Sequence, residues 1–168
     1  MIRKATLKDL HTVKSITEAC AVALNQQGIF QWNEHYPSLA VFQQDIAQNA
    51  LYVYEHQAQV AGCIMLSPVK DRVYETVHWL TPDTKSLYIH RLAVHPEFQK
   101  KGLGGQLMDF AEQFAIAKAY QSIRLDTFRQ NPANQQFYEK RGFQKLDPIF
   151  FPKQSPHPFY CYEKILLP

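Results

Sequence analysis

The stretch that decides the fold is His90-Arg-Leu-Ala-Val-His-Pro-Glu-Phe-Gln-Lys-Lys-Gly-Leu-Gly-Gly-Gln-Leu-Met108. It begins as an apolar strand, is interrupted at Pro96, and passes through the glycine-rich residues 99–105. Apolar side chains then recur at a helical spacing, which predicts an amphipathic helix. These side chains are Leu103, Leu107, Phe110, Phe114 and Ala117.

A strand, a glycine-rich turn and the start of a helix together predict an anion site. Glycine lets a ligand approach the backbone closely, and the first N–H groups of a helix have no partner within the helix. Lys100 and Lys101 add positive charge beside those N–H groups. We therefore expect a phosphate-bearing ligand here, with a helix start that contains incidental glycines as the alternative explanation.

Two common phosphate-binding loops do not match this stretch. The Walker loop needs Gly-Lys-Ser/Thr, and the dinucleotide fingerprint needs Gly-x-Gly-x-x-Gly, whereas Gly102-Leu-Gly104 is followed by no suitably placed glycine. The pattern Gln-x-x-Gly-x-Gly, after a strand ending in Leu-Ala-Val-x-Pro, instead resembles the acetyl-coenzyme A loop of the GNAT superfamily of N-acetyltransferases.

Length and composition are typical of a single soluble globular domain. The chain has 168 residues, of which 46% are hydrophobic and 20% charged, so we expect a single domain over residues 1–168. A net charge of +3 is too small to indicate nucleic acid but suits a polyanionic ligand. The cysteines, Cys20, Cys63 and Cys161, are scattered and odd in number, which indicates no disulfide framework and a cytoplasmic location. No signal peptide or membrane span is expected.

Hydrophobic periodicity predicts the remaining elements. Strands are expected at residues 2–5, 51–55, 60–66, 73–80, 86–94, 122–128, from 143 onward and at 159–166. Helices are expected from residue 6 to a stop at 28, then at 37–49, 102–119 and 131–142. This alternation predicts an α/β (mixed α+β) protein with a mostly antiparallel mixed sheet of about seven strands and helices on both faces. The element order resembles the GNAT fold over nearly the whole chain.

A second signature lies one strand and one helix after the glycine loop. GNAT enzymes typically carry Asn-x-x-Ala-x-x-Phe-Tyr-x-x-x-Gly-Phe at this point. The chain matches the pattern at Asn131, Phe137, Tyr138, Gly142 and Phe143. It departs from the pattern in having Asn134 in place of alanine, and an asparagine there can still hydrogen-bond the pantetheine arm.

The resemblance implies a cofactor site for acetyl-coenzyme A. In the family, two neighbouring strands separate and the pantetheine arm pairs with one of them. Carried across, the backbone of Leu92, Ala93 and Val94 would pair with pantetheine, and Gln99 would shape the turn. The N–H groups from Lys100 to Gly105 would hold the diphosphate, namely those of Lys100, Lys101, Gly102, Leu103, Gly104 and Gly105. Asn131, Asn134, Phe137 and Tyr138 are expected to complete the site.

Transfer of an acetyl group to an amine needs an acid for the leaving thiolate and a base for the amine. The resemblance implies Tyr138 as the acid, and a buried core tyrosine is the alternative. His90 is our first choice of base, because arylalkylamine acetyltransferases of this superfamily carry a histidine in that place, although a structural histidine is equally in keeping with a strand. Glu75, expected on a neighbouring strand, is the second choice.

The acceptor pocket is expected at two aromatic loops, because GNAT acceptor sites are usually built there. They supply Phe30, Trp32 and Tyr36 on one side and Phe151 on the other, although these rings are also typical of a core edge. Many aromatics and few acids favour a small primary amine. The alternatives are a protein N-acetyltransferase and a non-catalytic acyl-coenzyme A sensor, with homodimerisation left open.

Neither metal nor nucleic acid is expected as a partner. His90 and His95 are five residues apart, which places them on opposite faces of a strand, and the cysteines complete no ligand set. The basic residues Lys140 and Arg141 join the loop lysines near the expected phosphates and do not extend into a stripe.

Overall fold

The computed structural model describes residues 1–166, which form seven β-strands and four α-helices. The strands are β1 Ile2–Lys4, β2 Leu51–His56, β3 Gln59–Ser67, β4 Ser86–Val94, β5 Ser122–Phe128, β6 Gln144–Ile149 and β7 Phe159–Ile165. The helices are α1 Leu10–Gln26, α2 Leu39–Ala47, α3 Leu103–Ala117 and α4 Pro132–Lys140. The predicted order of a strand, two helices, further strands, helix, strand, helix and two strands is confirmed, with three strands between α2 and α3.

The seven strands lie in the order β1-β2-β3-β4-β5-β7-β6. Strands β1–β2, β2–β3, β5–β7 and β6–β7 pair antiparallel, and β4–β5 pair parallel. The parallel pairing aligns Ser86 with Ser122, Leu87 with Ile123, and Tyr88 with Arg124. The predicted mixed, mostly antiparallel sheet is therefore confirmed.

The described residues divide into two compact units. The first unit comprises Met1–Leu66 and His90–Ala111, and the second comprises Ser67–Ile89 and the described chain from Glu112 onward. Strand β4 contributes its first four residues to the second unit and its last five to the first. The expectation of a single domain over residues 1–168 stays a prediction, and its last two residues lie outside the described chain.

Local signals explain where the helices begin and end. The Ser38 side chain accepts a hydrogen bond from the Val41 N–H at the start of α2, and the Asn131 side chain accepts one from the Asn134 N–H at the start of α4. Gly142 follows α4 with a φ of 87°, a conformation that glycine adopts without strain. None of the helices in residues 1–166 is long and apolar enough to cross a membrane.

The predicted strand at residues 73–80 is wrong. Arg72–Thr76 form a 3₁₀ helix instead, whose start is capped by the Asp71 side chain through the Val73 N–H at 3.0 Å. Tyr74 in this helix and Val77, its C-cap, are both buried and three positions apart, which is the spacing of a 3₁₀ turn and not of a strand. Glu75 therefore does not lie on a strand, and its side chain is exposed.

Two further boundaries differ from the prediction. Helix α2 begins at Leu39 because Ser38 is its N-cap, so residues 37 and 38 precede it. The strand predicted from residue 143 onward begins at Gln144, and it includes Pro148, which pairs with Tyr160 after a register shift. Proline is tolerated at such an irregularity because it costs no regular ladder hydrogen bond there.

Candidate active site

The glycine loop of the first unit presents unpaired backbone donors at the start of α3. The first helical bond runs from the Gln106 N–H to the Gly102 carbonyl at 3.1 Å, so the N–H groups of residues 103–105 have no partner within the helix. Lys100 and Gly102 adopt φ values of 61° and 83°. Both loop lysines, Lys100 and Lys101, are exposed. Amide donors, a helix N-terminus and two cations together form a site suited to phosphate.

Gln99 connects this loop to the end of β4. Its side-chain Nε2 donates to the Val94 carbonyl at 2.9 Å, and the Cys20 thiol donates to the same carbonyl at 3.2 Å. These bonds hold the chain where it leaves the strand and enters the loop. The Gln99 side chain thus helps to fix the position of the loop, through a bond to a carbonyl five residues earlier in the chain.

At the end of β4, the polar backbone groups of successive residues point to opposite edges of the strand. The His95 N–H donates to the Ala61 carbonyl of β3 at 2.8 Å, and the Ala93 carbonyl lies close to Gly62 of β3. Because successive peptide groups of a strand point to opposite edges, the polar backbone groups of Leu92 and Val94 point away from β3. The Val94 carbonyl is already taken by Gln99 and Cys20, which leaves its N–H.

Tyr138 lies on α4 in the second unit and is 6% exposed. Its ring packs against Phe143 and Tyr162, with centroid distances of 5.8 and 6.2 Å. Burial raises the pKa of the Tyr138 hydroxyl well above its usual value, and the negative charge of Asp126 raises it further while Arg141 lowers it. The hydroxyl is therefore protonated at neutral pH and able to donate.

The other α4 residues of the predicted site lie along the first turns of that helix. Asn131 is buried, and its side chain is the N-cap that accepts from the Asn134 N–H at 3.2 Å. Asn134 and Phe137 are half-buried, and the Phe137 ring lies 5.3 Å from that of Tyr138. The structure thus brings Asn131, Asn134, Phe137 and Tyr138 together on one short helix.

The two sequence candidates for the base have different surroundings. His90 lies on β4 in the first unit and is half-buried. Glu75 lies in the 3₁₀ helix of the second unit with its side chain exposed, so its predicted position on a strand of the sheet is wrong.

Sequence reasoning missed Asp126 and Tyr74, which the second unit brings together. The Tyr74 hydroxyl donates a short hydrogen bond to the Asp126 carboxylate across 52 residues of sequence. Burial raises the pKa of Asp126 to about 6, against the lowering effect of the Tyr74 bond, and the charge of Asp71 raises it as well. The available signal was a carboxylate in the middle of a strand, β5, whose residues are mostly buried.

The aromatic residues of the predicted acceptor pocket belong to both units. In the first unit Phe30 is 59% exposed, Trp32 packs against the core, and the Tyr36 hydroxyl accepts from Arg91 Nη1 at 3.3 Å. In the second unit the Phe151 ring packs edge-on against Phe159 at 5.1 Å. Phe30 is the one of these four whose ring is largely free for a ligand.

A separate groove of about 560 Å³ lies in the first unit. Its main cation, Arg3, is held by Asp9 at 2.9 Å and by Glu55 at 2.8 Å, so its charge is already neutralised. The groove contains none of the predicted site residues. Among residues 1–166, no group of three or more His, Cys, Asp and Glu side chains is arranged to hold a metal ion.

Comparison with known proteins places these features in a family. The model of the Acetyltransferase (GNAT) family matches residues 15–143. The uncharacterized N-acetyltransferase YesJ of Bacillus subtilis (strain 168) is 25% identical over 142 residues, which cover 83% of this chain and 79% of YesJ.

Two solved structures share the fold. A GNAT-family acetyltransferase of Streptococcus agalactiae 2603 superposes with a TM-score of 0.83 and 19% identity, covering 100% of this chain and 96% of that one. The PaiA N-acetyltransferase of Thermoplasma acidophilum, solved with coenzyme A, superposes with a TM-score of 0.75 and 22% identity, covering 99% and 98%.

Proposed function

The chain belongs to the GNAT family of acetyltransferases, and on that premise we propose that it transfers an acetyl group from acetyl-coenzyme A to a primary amine. Both substrates are bound together, and the amine attacks the thioester directly. The observation that carries this proposal is the glycine loop, in which the first helix amides, a left-handed Gly102 and two lysines are arranged in a way suited to a diphosphate.

The cofactor roles follow from the direction of the backbone groups. We assign the diphosphate to the N–H groups of residues 100–105 together with the side chains of Lys100 and Lys101. The strand-like pairing with pantetheine falls to the free backbone groups of Leu92 and Val94, because the Ala93 carbonyl faces Gly62. On α4, Asn134 and Phe137 are proposed to contact the pantetheine arm. That PaiA was crystallised with coenzyme A supports a coenzyme A site in this fold.

Tyr138 is proposed as the general acid. The C–S bond of the thioester breaks as the C–N bond forms, and the leaving thiolate needs a proton. Burial keeps the pKa of Tyr138 above its usual value, so the phenol holds its proton until the thiolate develops beside it. The base was predicted at His90 or, failing that, Glu75, and both remain predictions.

A small primary amine is the proposed acceptor, with a protein amine as the second candidate. In the first unit, the exposed Phe30 ring and the half-buried Trp32 and Tyr36 offer apolar surface suited to a small, partly apolar molecule, and half-buried Phe151 is the candidate of the second unit. A panel of amines, polyamines, amino acids and peptides with acetyl-coenzyme A, followed by free thiol release, tests this. Turnover confined to basic peptides would favour a protein N-acetyltransferase, and no turnover with any amine would favour an acyl-coenzyme A sensor.

Replacing Tyr138 with phenylalanine tests the acid directly. We expect Tyr138→Phe to bind acetyl-coenzyme A as the wild type does and to lower kcat by about 10²–10⁴, because it removes only the proton donor. Tyr160→Phe, which removes a hydroxyl from half-buried Tyr160 on β7, is the matched control and is expected to keep wild-type kcat. Unchanged turnover by Tyr138→Phe would show that Tyr138 is a core residue only.

The cytoplasm is the proposed compartment. Cys20, Cys63 and Cys161 are all free and buried, which is compatible with a reducing environment. A homodimer stays a prediction, to be tested by the mass of the chain in solution.

A further inference from the structure

We propose that Asp126 is the catalytic base that takes the proton from the acceptor ammonium, and that Tyr74 positions its carboxylate. The inference rests on the proposed function and replaces His90 and Glu75 in the role of base. No sequence motif assigns this role to Asp126. It follows from the side chains that surround Asp126 on its face of β5 in the second unit.

Strand alternation places Asp126 and Tyr138 on opposite faces of β5 and β7. Asp126 is paired with Cys161, and its carboxylate meets Tyr74. The neighbouring residue Leu125 is paired with Tyr162, against whose ring Tyr138 packs. Since cross-strand partners share a face and successive residues alternate, the proposed acid lies on one face and the carboxylate on the other.

Opposite faces suit the reaction. In direct attack the amine approaches the thioester carbonyl from one side and the thiolate leaves on another, so a base and an acid on the same side would compete for one space. Asp126 also lies two residues beyond Arg124, the end of the described pairing with β4. Asp126 is half-buried, in contrast to its neighbours Leu125 and Thr127 on the strand, which are buried.

The Tyr74 hydroxyl holds the Asp126 carboxylate in one orientation. Tyr74 is fully buried, and its ring packs against Trp79 at 5.2 Å and Tyr88 at 5.9 Å. These contacts fix the hydroxyl that donates to Asp126. A tyrosine held this way leaves the remaining lone pairs of the carboxylate for an ammonium.

The charged and titratable groups around Asp126 set the pH at which it accepts a proton. Asp71 and Tyr74 face it from the 3₁₀ region and Cys161 lies beside it on β7, while Tyr138 of α4, on the other face, is affected by its charge. The cation on its own strand, Arg124, is engaged by Asp83 at 2.7 Å and Glu163 at 3.1 Å. Burial raises the pKa of Asp126 to about 6. The group is therefore ionised at neutral pH and protonated, hence inactive as a base, below that pKa.

The protons balance in the proposed sequence. Asp126 takes one proton from the ammonium, the neutral amine forms the C–N bond, and the C–S bond breaks. Tyr138 gives its proton to the thiolate, the nitrogen loses its second proton to solvent, and the Tyr138 phenolate regains one from solvent. The products are the acetylated amine and coenzyme A thiol, and Asp126 releases its proton to solvent for the next turnover.

The pH profile of kcat/KM tests the proposal, with an amine that the wild type acetylates. We expect the wild-type value to fall about tenfold per pH unit below pH 6, and Asp126→Asn to lower kcat by about 10²–10⁴ and lose this acid limb. Tyr74→Phe should move the limb to higher pH, because the Tyr74 hydrogen bond lowers the pKa of Asp126. Asp147→Asn, which removes a carboxylate bound to His78, should keep the wild-type profile.

Contrary results are distinct from a failure of the proposed function. No thiol release by the wild type with any amine would refute that function. An active wild type together with an Asp126→Asn variant that keeps both rate and acid limb overturns the present inference alone, as does loss of the limb in His90→Gln or Glu75→Gln. Should Asp126→Asn not fold, the Tyr74→Phe shift decides, and an unmoved limb counts against Asp126.

Discussion

Arg91 and Asp45 form a buried ion pair in the first unit. The Arg91 guanidinium donates to both Asp45 oxygens at 2.8 and 2.7 Å, and their side chains are only 11% and 5% exposed. Burial raises the pKa of Asp45, although the charge of Arg91 opposes this. Arg91 also adopts a φ of 52°, so the pair holds a left-handed residue within β4, next to the backbone proposed to bind pantetheine.

Breaking this pair on one side is expected to destabilise the chain strongly. Arg91→Met leaves the Asp45 carboxylate buried without its partner, and we expect a loss of about 3–5 kcal/mol in the free energy of unfolding, measured by denaturant titration. The double variant Arg91→Met/Asp45→Leu removes both charges and should recover part of that loss. A single variant within about 1 kcal/mol of wild type would show that the pair contributes little.

At the scale of elements, close approach of β3 and β4 depends on Gly62. A Cβ atom at this position would lie 2.8 Å from the Ala93 carbonyl oxygen and 3.3 Å from Leu107 Cδ1. The first distance is shorter than van der Waals contact, and the atom it meets is backbone, which cannot rotate aside. Glycine is therefore required where the strand next to the proposed pantetheine groups meets α3.

Gly62→Ala is expected to displace the end of β4. We expect a loss of about 1–3 kcal/mol in unfolding free energy, from the strain of overpacking, together with weaker binding of acetyl-coenzyme A. Gln59→Ala, at the exposed start of β3, is the control and should change stability by no more than about 0.5 kcal/mol. A Gly62→Ala variant with wild-type stability and affinity would mean that the strands separate without cost.

Local sequence patterns predicted most elements but not the contacts that complete the site. The Asn131 N-cap and the positive-φ Gly142 are encoded by residues within one or two turns, so they were predictable. Residues 73–80 were not predictable, because their composition suggested a strand, whereas Tyr74 and Val77 turn inward at a 3₁₀ spacing. The Tyr74–Asp126 bond joins residues 52 positions apart, which no periodic pattern contains.

At the scale of the whole molecule, each compact unit contains some of the residues that are assigned a role. The first unit contains the glycine loop and the end of β4, and the second contains Tyr138 and Asp126. The family model, which matches residues 15–143, includes all of these residues. Binding of acetyl-coenzyme A is the step on which every other assignment depends, so it is the property to measure first.

Titration calorimetry of the full chain with acetyl-coenzyme A tests the central claim most directly. We predict saturable binding at one site per chain, weakened about tenfold or more in Lys100→Ala/Lys101→Ala, because these lysines neutralise phosphate charge. Lys4→Ala/Lys8→Ala, which removes two exposed lysines elsewhere in the same unit, should bind as the wild type does. The absence of any affinity of the wild-type chain for acetyl-coenzyme A or coenzyme A would contradict the account.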